Sequence, residues 1–276
     1  MISSRKIRLF WWNEIELQGK SKENYGDLLG KYLVEKISGK EVVWTKPSAF
    51  SFSDFFSPIY VTIGSILTHV NSKCVVWGSG IVSKEFPVKN AKFLAVRGPQ
   101  TRNHLLDLGY EVPKVYGDPA LLLPRYYSPQ VKKEYKLGIV PHYADFEAVK
   151  KFYQNDESIL IIDLMTNDIE TKTDQFLKCE KIISSSLHGI IVAHAYGIPA
   201  VWQKFSNRIF GDDIKYRDYF ESVGIQNYES NILTSKVEEE MVLSLFKNKQ
   251  TLPERNVIDT LCNGLMEVCP FNNQKE

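Results

Sequence analysis

Lys181–Trp202 reads KIISSSLHGIIVAHAYGIPAVW, with three serines and a histidine set between two apolar runs. Lys181–Ile183 closes a short strand, and Ile190–Ala195 is apolar enough for a buried helix. Gly197 and Pro199 stop that helix before a strand at Ala200–Trp202. Ser184–Gly189 is therefore a strand-to-helix turn. Free N–H groups and the positive end of a helix dipole meet at such a turn, at the rim of a sheet, where an anion can bind. His188 falls in the first helical turn, beside that position. A serine cap with a satisfied histidine accounts for the same residues.

Outward from this stretch, short apolar strands alternate with helical patterns. Lys6–Trp12 is a strand, and Asn24–Gly39 is an amphipathic helix. EVVWT, YVTIGS, CVVWGSG and KFLAVRG are further strands or strand ends, and GPQTRNHLLDLG is a helix closed by Gly109. This βα alternation predicts a parallel, doubly wound α/β sheet. Arg125–Lys136 is polar, carries a proline and shows no period, so it reads as a linker. A second series follows, with strands KLGIVPHY and SILIIDL and helices ADFEAVKKFYQ and TKTDQFLKCE. Asn256–Cys269 is a last amphipathic helix, with Ile258, Leu261, Leu265 and Val268 on one face. Two Rossmann-like halves with a cleft between them are the simplest account. The expected division is 1–128 and 129–250, with 251–276 packing back on the first domain.

Composition narrows the function. The chain has 276 residues, 43% hydrophobic and 24% charged, with a formal net charge of +1. Neither the charge nor any Lys/Arg tract points to nucleic acid. Cys74, Cys179, Cys262 and Cys269 form no Cys-x-x-Cys pair, and no cluster has metal-ligand spacing, so no metal is expected. The apolar run near the N-terminus is too short for a signal peptide and no stretch reaches a membrane span, which predicts a cytoplasmic protein. Lys-rich patches at Lys132–Lys136 and Lys247–Lys249 allow a peripheral membrane contact, although such patches are usually solvated surface.

In open α/β sheets ligands bind beyond the carboxyl ends of the strands. The loops to inspect are Asn24–Asp27, Gly64–Ser65, Gly78–Gly80, Arg97–Arg102, Gly117–Asp118, Pro141–Tyr143 and Ser184–His188. Gly78 and Gly80 lack the third glycine of a dinucleotide turn, and no Walker sequence appears. Asn24 and Asp27 open a helix, where they either cap it or meet a sugar hydroxyl. Arg97, at a strand end, either points into the cleft or pairs with a carboxylate such as Asp118. Arg97, His142 and His188 come from three loops, and their convergence favours a ligand bearing phosphate or carboxylate. Trp11 or Trp12 can stack on a sugar face. His69 and His104 fall outside these loops and carry no expected role.

NYGD, GSI and WGSG, AVRGPQTR, YGDPALLLP, SSSLHGIIVAHAYGIPAVW and FGDDIKYRDYFESVGI occur in this order between Asn24 and Ile225. In that order they resemble the polysaccharide pyruvyl transferase family, in its bacterial exopolysaccharide and capsule branch. The resemblance implies two Rossmann-like domains in a glycosyltransferase-B-like arrangement, acceptor side first and donor side second, with the active site in the interdomain cleft. It implies transfer of a pyruvyl group from phosphoenolpyruvate, the co-substrate, to two hydroxyls of one sugar, with a lipid-linked galactose as one acceptor. No other cofactor is implied.

By the same resemblance His188 matches the family's important histidine and Arg97 its strand-end arginine. Because a histidine titrates near neutrality and an arginine fork suits an anion, His188 is the expected catalytic acid and Arg97 a donor ligand. Ser186 stands where some members carry arginine. Arg208 or Lys215 would replace that charge. Ser184, Ser185, Ser186 and His142 join the donor site. Asp27 would accept a hydroxyl proton, and Asn24, Trp12 and Asp118 would meet the acceptor. Two other readings compete: a nucleotide-sugar glycosyltransferase of similar fold, and a sugar-binding protein without catalysis.

Overall fold

The computed structural model describes residues 6–49, 57–153 and 156–272. Short β-branched and aromatic runs form two parallel sheets. The first holds β1 (Ile7–Phe10), β3 (Val42–Trp44), β4 (Ile59–Val61), β5 (Cys74–Trp77) and β6 (Lys92–Ala95), in the spatial order β3-β1-β4-β5-β6. The second holds β7 (Leu137–Val140), β8 (Ile159–Ile161), β10 (Ile182–Ser184) and β11 (Ala200–Trp202), in the order β11-β10-β7-β8. Two further short strands, β2 (Glu23–Asn24) and β9 (Met165–Thr166), pair antiparallel.

These orders locate the site before any side chain is considered. In the first sheet the winding reverses between β1 and β4, and in the second between β7 and β10. Loops part on opposite faces at such a reversal and leave a crevice at the strand ends. Trp12 and Gly64–Ile66 follow the first pair of strands; His142 and Ser184–His188 follow the second.

Helices α1 (Glu14–Gln18), α2 (Tyr25–Ser38), α3 (Pro99–Asp107) and α4 (Leu123–Tyr126) belong to the first half. The remainder are α5 (Phe146–Phe152), α6 (Ile169–Leu177), α7 (Leu187–Ala195), α8 (Ile214–Ser222), α9 (Glu239–Asn248) and α10 (Arg255–Glu267). Asn24 caps α2, its Oδ1 accepting from the Gly26 N–H at 2.9 Å, and Gly39 ends it at φ 65°. The pair β2–β9 draws the start of α2 onto the second half. There Tyr25 stacks on Phe176 at 5.5 Å, and its hydroxyl bonds Thr173 at 2.8 Å. Helix α2 is thus shared between the two sheets.

Every residue of α7 is buried, as its unbroken apolar run predicts. Helix α10 buries Ile258, Cys262 and Leu265. Trp77 Nε1 donates to Leu265 O at 2.9 Å, and Phe271 meets the Trp77 ring edge-on at 5.6 Å. The last helix therefore packs on the first sheet. Of the expected linker Arg125–Lys136, Arg125 and Tyr126 are helical in α4 and Tyr135 bridges Cys179, while 127–134 carries no helix or strand. Helices α1, α4, α8 and α9 and the β2–β9 pair lie beyond the elements that the sequence pattern predicts. Among the described residues no helix is long and apolar enough to cross a membrane.

Candidate active site

Both strand-order reversals open into one cavity of about 640 Å³, a size suited to small-molecule substrates. Trp12, Asn24, Asp27, His142, Ser186, His188 and Lys215 lie on its wall. These are seven of the residues that the sequence singled out.

The three serines divide by role. Ser184 is fully buried; its hydroxyl lies 2.8 Å from both the Val140 and Ser186 carbonyls and accepts from Ser186 N–H at 2.9 Å. Ser185 is also fully buried and accepts from His142 N–H at 2.8 Å. Both stitch the turn together, so their expected donor-binding role is corrected to a structural one. Ser186 alone of the three reaches the cavity. It is the N-cap residue of α7 but makes no side-chain capping bond, so it leaves the first-turn N–H groups without a partner from the cap.

His188 stands in that first turn, against the start of α2. A Cβ built on Gly26 would lie 2.2 Å from His188 Nδ1, so the backbone there leaves room only for the ring. The two helix N-termini meet across this contact, and their dipoles both favour negative charge. Asn24 both caps α2 and lines the cavity.

Burial pushes the Asp27 carboxyl up to about 7; His188 and Lys215 oppose the shift, while Glu14 and Glu23 add to it. Burial likewise brings Lys215 down to about 8, aided by the neighbouring Arg97 charge and opposed by Asp213 and Asp27. Burial, with Lys215 and Lys20 nearby, lowers His142 to about 4, so it is neutral at pH 7. Its Nδ1 accepts from Ala144 N–H at 3.3 Å, which leaves the proton on Nε2. His142 is therefore a neutral hydrogen-bond donor on the wall rather than a cation.

Three expected contacts take other places. Arg97 is fully buried: Nε donates to Asp218 Oδ2 at 3.0 Å, Nη1 to Ser65 Oγ at 2.7 Å and Nη2 to Ile81 O at 2.9 Å. A Cβ on Gly80 would collide with this guanidinium at 2.4 Å. With its fork committed, Arg97 holds Ser65 on the wall instead of meeting the donor, and its carboxylate is Asp218, not Asp118. Arg208 pairs with Asp145 at 3.0 Å and does not line the cavity. Asp118 is fully buried behind His188, its Oδ2 3.6 Å from His188 Nε2, and so does not reach the acceptor.

Other wall residues were missed. His69 lines the cavity with its ring 5.5 Å from that of Trp12, which corrects its expected irrelevance. Trp11 instead is buried in the core. Glu14 follows β1, so the rule that loops after strands carry function could have found it. Phe86 and Phe210, their rings tilted at 40° with centroids 5.2 Å apart, also line the cavity, from loops with no strand-end signal. Ser83 and Asp212 bond across the same two loops at 3.0 Å.

A family model described as polysaccharide pyruvyl transferase matches residues 24–202. "Uncharacterized protein L143" of Acanthamoeba polyphaga mimivirus is 32% identical over 236 residues, covering 83% of this chain and 81% of that protein. The matched span carries Asn24, Asp27, His142, Ser186 and His188, whereas Trp12 and Lys215 lie outside it.

Proposed function

Because the chain belongs to the polysaccharide pyruvyl transferase family, we propose that it transfers a pyruvyl group from phosphoenolpyruvate to two hydroxyls of one sugar, forming a cyclic ketal and releasing phosphate. In this reading the two sheets are two domains, 1–128 on the acceptor side and 129–250 on the donor side, in a glycosyltransferase-B-like arrangement. The acceptor is a sugar of capsule or exopolysaccharide assembly, with a lipid-linked galactose at the inner membrane face as its first candidate.

One observation carries the reading. The uncapped N-terminus of α7, with His188 in its first turn, shares a cavity with the start of α2 and with Lys215. Phosphoenolpyruvate bears a phosphate and a carboxylate, and a site for it needs several fixed donors in a cleft. The α7 N–H groups, the Ser186 hydroxyl, His142 Nε2 and the Lys215 ammonium supply them.

His188 gives a proton to the methylene carbon, and the oxocarbenium-like C2 is attacked by the first sugar hydroxyl. That hydroxyl passes its proton to Asp27, whose raised pKa suits a base near neutrality. Phosphate then leaves with the C–O electron pair, and the second hydroxyl closes the ketal. Of the two hydroxyl protons, one replaces that lost by His188 and the other departs with phosphate. Trp12 and His69 offer a face for the sugar ring.

The test is incubation with phosphoenolpyruvate and a panel of lipid-linked and aryl glycosides, followed by phosphate release and product mass. Solvent deuterium in the pyruvyl methyl group is expected. Stabilisation by nucleotide sugars but not by phosphoenolpyruvate in thermal shift, without phosphate release, would overturn the reading.

A further inference from the structure

Asp118 sits at the turn before a 3₁₀ segment, Pro119–Leu122, against which α7 packs. The turn is locked. Gly117 has φ 133°, and a Cβ on Gly78 would lie 2.3 Å from the Pro119 ring. Asp118 Oδ1 accepts from Ala120 N–H at 3.0 Å. Oδ2 is buried with no hydrogen-bond partner, and the buried His188 Nε2, 3.6 Å away, has none either. Tyr219 also faces Asp118, but its hydroxyl is held by His194 Nδ1 at 3.0 Å.

Buried polar atoms left unmet are costly, and a proton on Nε2 directed at Oδ2 meets both at once. We infer that Asp118 is a positioning residue that holds the Nε2 proton of His188 and so leaves Nδ1 as the nitrogen serving the cleft. The side-chain-free backbone of Gly26 packs beside the ring, and Asp118 stands at Nε2. In the cationic ring Nε2–H stays on Asp118 while Nδ1–H is the proton delivered. After delivery the neutral ring keeps its hydrogen on Nε2. The separation of 3.6 Å is longer than a formed hydrogen bond, as is common before substrate closes a site. The consequence for turnover rests on the pyruvyl-transfer reading; the tautomer does not.

The test is ¹⁵N NMR of the histidine-labelled full chain, with the His188 signal assigned by its loss in His188→Gln. In the neutral form the wild type is expected as the Nε2–H tautomer. Asp118→Asn keeps an oxygen for Ala120 N–H but turns an amide N–H toward Nε2, so the ring should switch to the Nδ1–H tautomer. With phosphoenolpyruvate and acceptor, kcat should fall about 100-fold with KM for phosphoenolpyruvate little changed, since a misplaced proton disables a correctly placed ring. An Nδ1–H tautomer in the wild type would overturn the inference, as would wild-type kcat and an unchanged tautomer in Asp118→Asn. Should that variant not fold, the wild-type tautomer alone decides. Should the wild type show the Nε2–H tautomer yet no pyruvyl transfer, the reaction is misassigned and the Asp118–His188 relationship stands.

Discussion

His188 Nδ1 lies 2.2 Å from the position that a Cβ at Gly26 would occupy, too close for any side chain there. The first turns of α2 and α7 can approach only because that residue has no side chain. The pair joins the NYGD and SSSLHG motifs physically, although 162 residues apart they read as separate helix starts. Gly26→Ala gains up to about 1 kcal/mol of helix propensity while displacing the ring. The expected result is a folded protein with turnover reduced about 100-fold, checked by circular dichroism melts beside steady-state kinetics. Wild-type kcat in Gly26→Ala would show that the ring has freedom the packing denies.

Arg97 and Asp218 form a fully buried pair, and Asp218 also accepts from the Thr101 N–H at 2.9 Å and hydroxyl at 2.7 Å. Removing one member leaves the other charged and unmet, at a cost of about 3–5 kcal/mol. Asp218→Ala should therefore unfold at markedly lower denaturant concentration. Arg97→Lys should recover little of the loss, because an ammonium cannot replace the three-way fork. A selective loss of phosphoenolpyruvate affinity in Arg97→Ala, with wild-type stability, would return this arginine to the donor site.

Asp27 links stability to pH. Its carboxyl is raised from its ordinary 3.8 to about 7 in the folded chain. A raised pKa contributes stability that is complete below about 3.8 and lost as pH rises through about 7. Asp27→Asn never ionises, so it should melt higher than wild type at pH 8, and the gap should close toward pH 4. As the base, Asp27 should make kcat/KM rise with pH through about 7, before the loss of the Lys215 charge above about 8 lowers it again, with Asp27→Asn nearly inactive. An equal difference in melting temperature at both pH values would refute the linkage.

Lys215, lowered to about 8, sheds its charge as pH rises past that value. Calorimetry should show phosphoenolpyruvate affinity weakening about tenfold per pH unit above 8, and Lys215→Met should be weak and insensitive there. A flat affinity between pH 7 and 9.5 would remove Lys215 from the donor site.

Trp12 and His69 present adjoining rings to the cavity. Truncating either to alanine should raise the acceptor KM about 2- to 10-fold, the worth of an aromatic contact, with KM for phosphoenolpyruvate unmoved. An effect confined to phosphoenolpyruvate would place the donor on this wall instead.

Neighbouring residues along the chain settle only local features. Apolar runs bounded by glycine and proline marked the strands of both sheets, and Asn24 and Gly39 marked both ends of α2 because capping depends on neighbouring residues alone. The Ser184–Gly189 turn, and with it His188, was legible for the same reason. The fate of the side chains at strand ends was decided only by tertiary structure. Arg97 could turn to the cleft or to a carboxylate, and Asp218, 121 residues on, settles it. Ser184 and Ser186 are alike in sequence, yet one faces Val140 and the other the cavity, because the turn folds back over the end of β7. His69 reaches the wall through the packing of a 3₁₀ turn beside Trp12. Periodicity says which face of an element is buried; which distant group waits there depends on how the chain closes on itself.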